Sequence, residues 1–221
     1  MNFILSVTDP AGAEVLMRIC DEMHLTASVI MFGRGTATKS TLDLLGIESR
    51  ARRAIVTLAD RHTTKTFIRE QRRRMYIDTP GRGIVVSVPV KSVGGGKVLE
   101  YLSGGQDVTG RPEINYNYEL ILAIANEGHA DEVMDAARSA GATGGTILHG
   151  KGTGSKNVEK FYKLSIAQEK EILIIVSRAD EKAKIMGAIL KLAGPETPAG
   201  TIVFSLPVSD VAGFTLFDEN E

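Results

Sequence analysis

The sequence of 221 residues has no tryptophan, one cysteine and only 5% aromatic residues. A single cysteine, Cys20, excludes an internal disulfide framework and supplies no metal cluster, which agrees with a reducing compartment. No apolar stretch approaches about 18 residues, the length needed to span a bilayer. The opening MNFILSVTDP has neither a basic flank nor a small-residue cleavage site. These absences predict a cytoplasmic protein without membrane insertion.

The formal charge of -1 hides an asymmetry between the two halves of the chain. Residues 1–95 contain 14 Lys+Arg against 9 Asp+Glu, and residues 96–221 contain 12 against 18. A basic half can attract phosphates or nucleic acid, but unequal halves are also common in proteins that bind neither. Because few aromatic side chains are present to stack on bases, and no nucleic-acid-binding signature is found, we expect no nucleic acid partner. A basic run such as Arg69, Arg72, Arg73 and Arg74 could contact phosphates, a membrane surface or RNA, but such a run is more often a solvated helix face.

Two copies of one pattern organise the chain. MFGRGTATK at 31–39 is answered by LHGKGTGSK at 148–156, and GIVVSVPVKSVGG at 83–95 by TIVFSLPVSDVAG at 201–213. Self-similarity at a nearly fixed offset is the signature of a duplicated unit. We therefore predict a first repeat at 1–95, a linker at 96–117 and a second repeat at 118–221.

Each repeat has the order strand, helix, strand, strand, helix, strand. The predicted strands are Asn2–Val7, Ser28–Arg34, Ala54–Ala59, Ile84–Val90, Glu119–Ala125, Gly145–Lys151, Glu171–Ser177 and Thr201–Val208. The predicted helices are Pro10–Met23, Thr63–Met75, Ala130–Ala140 and Glu181–Leu192. Right-handed crossovers then give an α+β fold of two ferredoxin-like βαββαβ repeats, each an antiparallel sheet with its helices on one face. Because strands such as ILIIV at 172–176 are apolar at consecutive positions, we expect the other sheet face to be covered by association.

The glycine segments resemble those of the P-II (nitrogen regulatory protein P-II) family. TASVIMFGRGTATK and TGGTILHGKGTGSK look like the second strand and the beginning of the large T-loop. DTPGRGIVVSVPV and ETPAGTIVFSLPV look like the glycine loop and last strand that follow it. The chain thus resembles a divergent tandem duplication of that family. The resemblance implies a regulator rather than an enzyme, with a nucleotide, ATP or ADP, between subunits and T-loops that engage a target protein in nitrogen control.

The same resemblance implies the ligand-binding residues. Glycines let backbone amides approach phosphate oxygens and form anion-binding concavities, and nearby lysines or arginines supply charge. Gly33 and Gly35 could instead simply make a β-bulge or a tight exit from the strand. The expected ligand-binding residues are Gly33, Arg34, Gly35, Thr36, Lys39, Gly81, Arg82, Gly83, Gly150, Lys151, Gly152, Thr153, Lys156 and Gly200.

The chain departs from the family pattern at several of its ligand positions. Ala37 and Gly154 stand where the family usually has a glutamine of the metal and 2-oxoglutarate site. Gly83 and Thr201 replace the lysine before the last strand, with Arg82 as the nearest substitute. The arginines that usually follow that strand are absent. Residues that the family uses to sense 2-oxoglutarate and to form its usual ATP site are therefore replaced in this chain, and the sequence leaves open whether 2-oxoglutarate is sensed.

The four histidines share no metal-ligand spacing, and no catalytic arrangement is visible, so we predict neither a metal site nor an enzyme. His149, next to Gly150, could contact a ligand, although an ordinary histidine at a strand end is the commoner case. Three chains supply six repeats, enough for two threefold rings, so we expect a homo-oligomer of the trimer type. Its target, a transporter or an enzyme, is not identified by the sequence. The alternatives are a ferredoxin-like trimeric metal-binding protein and a structural protein without nucleotide sensing.

Overall fold

A computed structural model describes residues 1–25, 27–36, 50–93, 114–151, 160–161, 164–165 and 169–214. The strands in chain order are β1 Asn2–Thr8, β2 Val29–Gly35, β3 Ala51–Ala59, β4 Gly83–Pro89, β5 Asn115–Asn126, β6 Thr146–Lys151, β7 Lys160–Phe161, β8 Leu164–Ser165, β9 Glu169–Arg178, β10 Ile202–Val208 and β11 Asp210–Ala212. The helices are α1 Pro10–Glu22, α2 Arg61–Met75, α3 Ala130–Ser139 and α4 Lys182–Ala193. All eight predicted strands and four predicted helices are present, with ends that differ by a few residues.

The chain forms two compact units, each assembled from separate segments. Unit 1 comprises Met1–Phe32, Thr38–Tyr118 and Pro207–Glu221, and unit 2 comprises Gly33–Ala37 and Glu119–Leu206. The boundary therefore falls inside β2, and a short piece of the first repeat belongs to unit 2. The sequence-based division at 95/96 and 117/118 stays a prediction.

Unit 1 has the predicted ferredoxin-like arrangement. Its strands lie in the order β2-β3-β1-β4-β11, and β1 pairs antiparallel with both β3 and β4. At the end of β1, Thr8 is opposite Arg53 on one side and Gly83 on the other. The C-terminal strand β11 was not predicted, and it extends the sheet by pairing Asp210 with Ser87 of β4.

Unit 2 repeats the arrangement with strand order β10-β5-β9-β6. Strand β6 pairs antiparallel with β9 on one side, and the Gly33–Gly35 part of β2 lies on its other side. The two short strands β7 and β8 pair only with each other within the described residues.

Local sequence signals explain where the helices of unit 1 begin. The Asp9 carboxylate accepts a hydrogen bond of 2.6 Å from the Gly12 amide, and Pro10 occupies the first turn, where a missing N–H is not needed. Asp60 caps α2 in the same way through the amides of His62 and Thr63. These caps fix the residues at which α1 and α2 begin.

Each unit has its own apolar core between helices and sheet. In unit 1 it includes the fully buried Ile4, Leu16 and Phe67, and in unit 2 Met134 and Leu173. No helix in the described part of the chain is long and apolar enough to cross a membrane.

Candidate functional site

The first predicted glycine segment, Gly33–Gly35, lies in unit 2 against β6. Gly33 is opposite Leu148 and Gly35 is opposite Thr146. A Cβ atom on Gly33 would lie 2.5 Å from the Ile147 carbonyl oxygen. Gly33 is therefore required for the close approach of β2 and β6.

Thr36, the next predicted ligand residue, is buried and fixed to Gly145. Its hydroxyl accepts a 2.8 Å hydrogen bond from the Gly145 amide and donates a 3.0 Å bond to the Gly145 carbonyl. The Thr36 amide also donates to that carbonyl, and the Arg138 guanidinium donates to the Thr36 carbonyl. These bonds fix the point from which the chain leaves β2.

Arg34, predicted to supply charge to a ligand, is paired with carboxylates of unit 2. Its Nη1 lies 3.0 Å from Asp131 Oδ1, and its Nη2 lies 3.8 Å from Glu171 Oε1. Glu171 is only 3% exposed, and its Oε2 accepts hydrogen bonds from the amides of Gly128 at 3.0 Å and Ala130 at 2.8 Å. A carboxylate of the chain thus already occupies the positive N-terminal end of α3.

Sequence reasoning missed Glu171, although a signal was available. It is a carboxylate at the beginning of the apolar run EILIIV, next to residues that the sequence predicts to be buried. His149, its cross-strand neighbour, has its Nδ1 3.9 Å from Glu171 Oε1. The structure therefore places His149 beside the buried carboxylate of Glu171. The His149 side chain is nevertheless more than half exposed.

The second glycine segment differs from the first in its surroundings. A Cβ on Gly150 would meet only the Ile172 side chain, at an ordinary 3.9 Å. Lys151 Nζ lies 3.3 Å from Glu169 Oε1. Because β2 and β6 are antiparallel, Gly35 pairs at the beginning of β6 and Gly150 lies near its end, about 13 Å along the strand. The two segments are on neighbouring strands but do not converge on one point.

Gly200 closes a turn before β10. Its φ of +55° lies in the left-handed region, and its amide donates to the Thr197 carbonyl. A Cβ there would approach the Asn126 side chain to 3.0 Å, and that side chain itself donates to the Pro198 carbonyl. Gly200 thus has a structural requirement that is independent of any ligand.

In unit 1 the predicted Gly81–Gly83 loop precedes β4. Gly81 has φ +81° and Gly83 has φ +149°, and a Cβ on Gly83 would lie 2.3 Å from the Val7 carbonyl oxygen. The Arg82 amide donates to Thr79, and its carbonyl accepts a 2.9 Å bond from the Thr8 hydroxyl. Gly83 has no room for a side chain, and Gly81 has a left-handed conformation that favours glycine.

Several predicted features fall elsewhere. Lys39, Gly152, Thr153 and Lys156 lie outside the described residues, as do Ala37 and Gly154. Among the described residues, no group of three or more His, Cys, Asp or Glu side chains could hold a metal ion.

In the arginine run of α2, Arg73 forms an ion pair of 2.6 Å with Glu70, and Arg74 forms one of 2.6 Å with Glu22. Hydrogen bonding by Arg74 lowers the pKa of Glu22.

Comparisons with known proteins agree with the resemblance in the second repeat. Residues 118–215, less than half of the chain, match the family model "Nitrogen regulatory protein P-II". No curated protein matches the chain.

Three solved structures are similar to part of the chain. Arabidopsis thaliana PII bound to citrate is 22% identical, with 43% of this chain and 79% of that chain covered and a TM-score of 0.33. The B. subtilis GlnK–ATP complex is 14% identical, with 43% and 85% covered and a TM-score of 0.33. A Bacillus cereus protein related to NIF3 is 17% identical, with 44% and 27% covered and a TM-score of 0.34.

Proposed function

We propose that this chain, whose residues 118–215 form a P-II domain, is a P-II-like regulatory protein and not an enzyme. It binds a small anionic effector, an adenine nucleotide, and controls a target protein through the loops that follow Thr36 and Lys151. The match of the P-II family model to the second βαββαβ set, β5 to β10, is the observation that carries this proposal.

The two units do not support effector binding equally. In unit 2 the predicted cations Arg34 and Lys151 are paired with carboxylates, and the Thr36 hydroxyl is bonded to Gly145. In unit 1 the Gly81–Gly83 loop contains two glycines with positive φ. It belongs to residues 1–95, the half of the sequence with an excess of lysine and arginine. This difference supports effector binding at unit 1 and a scaffolding role for the predicted residues of unit 2.

Association with further copies belongs to the same proposal. Unit 1 exposes large apolar side chains, with Val29 60% and Phe32 68% exposed on β2 and Tyr116 82% exposed on β5. Such side chains are typical of surfaces that become covered in an assembly. A homo-oligomer of the trimer type, cytoplasmic and acting in nitrogen control on a transporter or an enzyme, is the form we propose.

A structural protein without nucleotide sensing is the second candidate. It is favoured by the internal bonding of Arg34, Thr36 and Lys151, because residues already satisfied within the chain need no ligand. In that case the loops would hold neighbouring copies together.

Calorimetric titration of the full chain with ATP, ADP and AMP, each with and without magnesium and 2-oxoglutarate, separates the two candidates. We expect micromolar binding of at least one nucleotide and no dependence on 2-oxoglutarate, since the family glutamine is replaced by Ala37 and Gly154. Titration with inosine triphosphate tests whether the adenine base is recognised. Thermal stability that is unaffected by every nucleotide, together with no heat of binding, would favour the structural protein.

A further inference from the structure

Arg52, a residue without an assigned role, lies at the glycine loop of unit 1. It is the second residue of β3, and its side chain is partly buried. Its Nη2 lies 3.5 Å from the Gly81 carbonyl oxygen, and its Nη1 donates to the Ala51 carbonyl at 3.1 Å. Arg52 is therefore the arginine whose guanidinium contacts the loop that the sequence singled out.

The guanidinium of Arg52 has no carboxylate partner at ion-pair distance among the described residues. Burial lowers the pKa of Arg52, and the charge of Asp9 only partly offsets this. A buried charge is normally paired, because removal from water without compensation is costly. The guanidinium of Arg52 thus lies beside a glycine loop without a negatively charged partner, and a bound anion would be such a partner.

The two other arginines near this loop are engaged differently. The guanidinium carbon of Arg53 lies 4.5 Å above the Phe32 ring, in a cation–π contact. Arg82 uses its backbone amide and carbonyl to fix the loop to Thr79 and Thr8. The guanidinium of Arg53 thus has an aromatic partner as well as the Arg52 carbonyl, whereas the guanidinium of Arg52 contacts carbonyl oxygens alone.

The backbone of the loop adds a donor. Within the described part of the chain, the amide of Gly81 has no hydrogen-bond partner, whereas the amide of Arg82 is used by Thr79. Gly81 also has φ +81°, a conformation in which successive amides can form an anion-binding concavity. A planar guanidinium and a backbone amide together suit a phosphate group, which accepts bonds from both.

We propose that Arg52 binds a phosphate-type anion together with the Gly81–Gly83 loop, and so adds a second cationic side chain to the one that Arg82 brings to this loop. This inference rests on the proposed function, and it names the residue and the chemical group that the effector presents. In the second repeat, the offset of 118 residues that relates Gly83 to Thr201 pairs Arg52 with Lys170, whose ammonium donates a 2.5 Å hydrogen bond to Asn126 Oδ1.

The test uses calorimetric titration of the full chain with sodium tripolyphosphate and with ATP at an ionic strength of about 0.15 M. Arg52→Gln removes the charge and keeps a donor, and Arg69→Gln, on the exposed side of α2, removes the same charge elsewhere in unit 1. We expect Arg52→Gln to bind both probes about ten- to a hundredfold more weakly. Arg69→Gln should stay within about twofold of the unsubstituted chain, because the charge of an exposed side chain is screened by salt.

A second measurement separates binding from folding. Without added anion, Arg52→Gln should unfold at the same temperature as the unsubstituted chain or a higher one, because an unpaired buried charge is removed. With tripolyphosphate, only the unsubstituted chain and Arg69→Gln should gain thermal stability. If Arg52→Gln does not fold, Arg52→Lys takes its place, and weaker binding of both probes is expected because the planar fork is lost.

Distinct outcomes identify which idea fails. ATP binding that survives Arg52→Gln overturns the role of Arg52 and leaves a nucleotide sensor. Tripolyphosphate binding that depends on Arg52, without ATP binding, supports the site and rejects the adenine nucleotide as effector. Equal losses in Arg52→Gln and Arg69→Gln, or no binding of either probe, overturn the site.

Discussion

The guanidinium of Arg34 lies 3.8 Å from the buried carboxylate of Glu171, so a residue of the first repeat and one of the second are paired inside unit 2. Glu171 also accepts two backbone amides at the beginning of α3. A single carboxylate thus joins β9, the N-terminus of α3 and the end of β2. This arrangement gives the first of four predictions on stability.

Glu171→Gln should lower the free energy of unfolding by about 1–3 kcal/mol, because charge-assisted bonds to two amides and to Arg34 are weakened in a buried position. Asp131→Asn is the matched control, since its side chain is 73% exposed and pairs with the same arginine. It should cost less than about 1 kcal/mol. Urea unfolding measures both. Equal effects of the two substitutions would show that burial of Glu171 has no energetic importance.

Gly33→Ala and Gly150→Ala should differ in stability although the sequence treats them as equivalent. A Cβ on Gly33 collides with the Ile147 carbonyl at 2.5 Å, whereas one on Gly150 meets Ile172 at 3.9 Å. We expect a loss of about 1–3 kcal/mol for Gly33→Ala and a change within about 0.5 kcal/mol for Gly150→Ala. Thermal unfolding of both variants checks this. A large loss for Gly150→Ala, with none for Gly33→Ala, would contradict the pairing of β2 with β6.

Thr36→Val should destabilise the end of β2 by about 1–3 kcal/mol, because it leaves the Gly145 amide without its hydroxyl acceptor. Thr36→Ser keeps that acceptor and is the control. Amide hydrogen exchange at Gly145 should become faster in Thr36→Val and remain nearly unchanged in Thr36→Ser. Unchanged exchange in both variants would argue against the bond.

Asp60 should make stability depend on pH in the acid range. Burial raises the pKa of its carboxyl, but bonds from the hydroxyl and amide of Thr63 and from the amide of His62 outweigh this, and the pKa is lowered. Since the folded pKa is below the unfolded value of about 3.9, the stabilisation is present above that value. It is lost as the pH falls through the folded pKa.

Asp60→Asn preserves a good helix cap and cannot ionise. The difference in unfolding free energy between the unsubstituted chain and Asp60→Asn should therefore shrink when urea unfolding is followed from pH 6 to about pH 2.5. A difference that stays constant over this range would show that the carboxylate form of Asp60 contributes no more than an amide.

Sequence reasoning predicted the secondary structure well because its signals are local. Asp9 with Pro10 marks the beginning of α1, and the apolar run at 172–176 marks β9. It was less informative about the candidate site. Arg34 and Thr36 were predicted from their neighbours in sequence, yet their contacts are with Asp131, Glu171 and Gly145, which lie far along the chain. Arg52 was missed because its proximity to Gly81 depends on how β3 lies beside the loop before β4.

The sequence by itself predicted a duplication, and it determined the βαββαβ order and the resemblance to P-II proteins, because periodicity, caps and glycine spacing are properties of neighbouring residues. Only the tertiary structure decided which charges are paired and which glycines are required. Gly33 and Gly150 look alike in sequence, but strand pairing places a carbonyl oxygen against one and a flexible side chain near the other. Arg34 and Arg52 are likewise both plausible cations, and folding pairs the first with carboxylates while placing the second, partly buried, against carbonyl oxygens. The physical reason is that burial and pairing are set by residues distant in sequence, which local patterns do not encode.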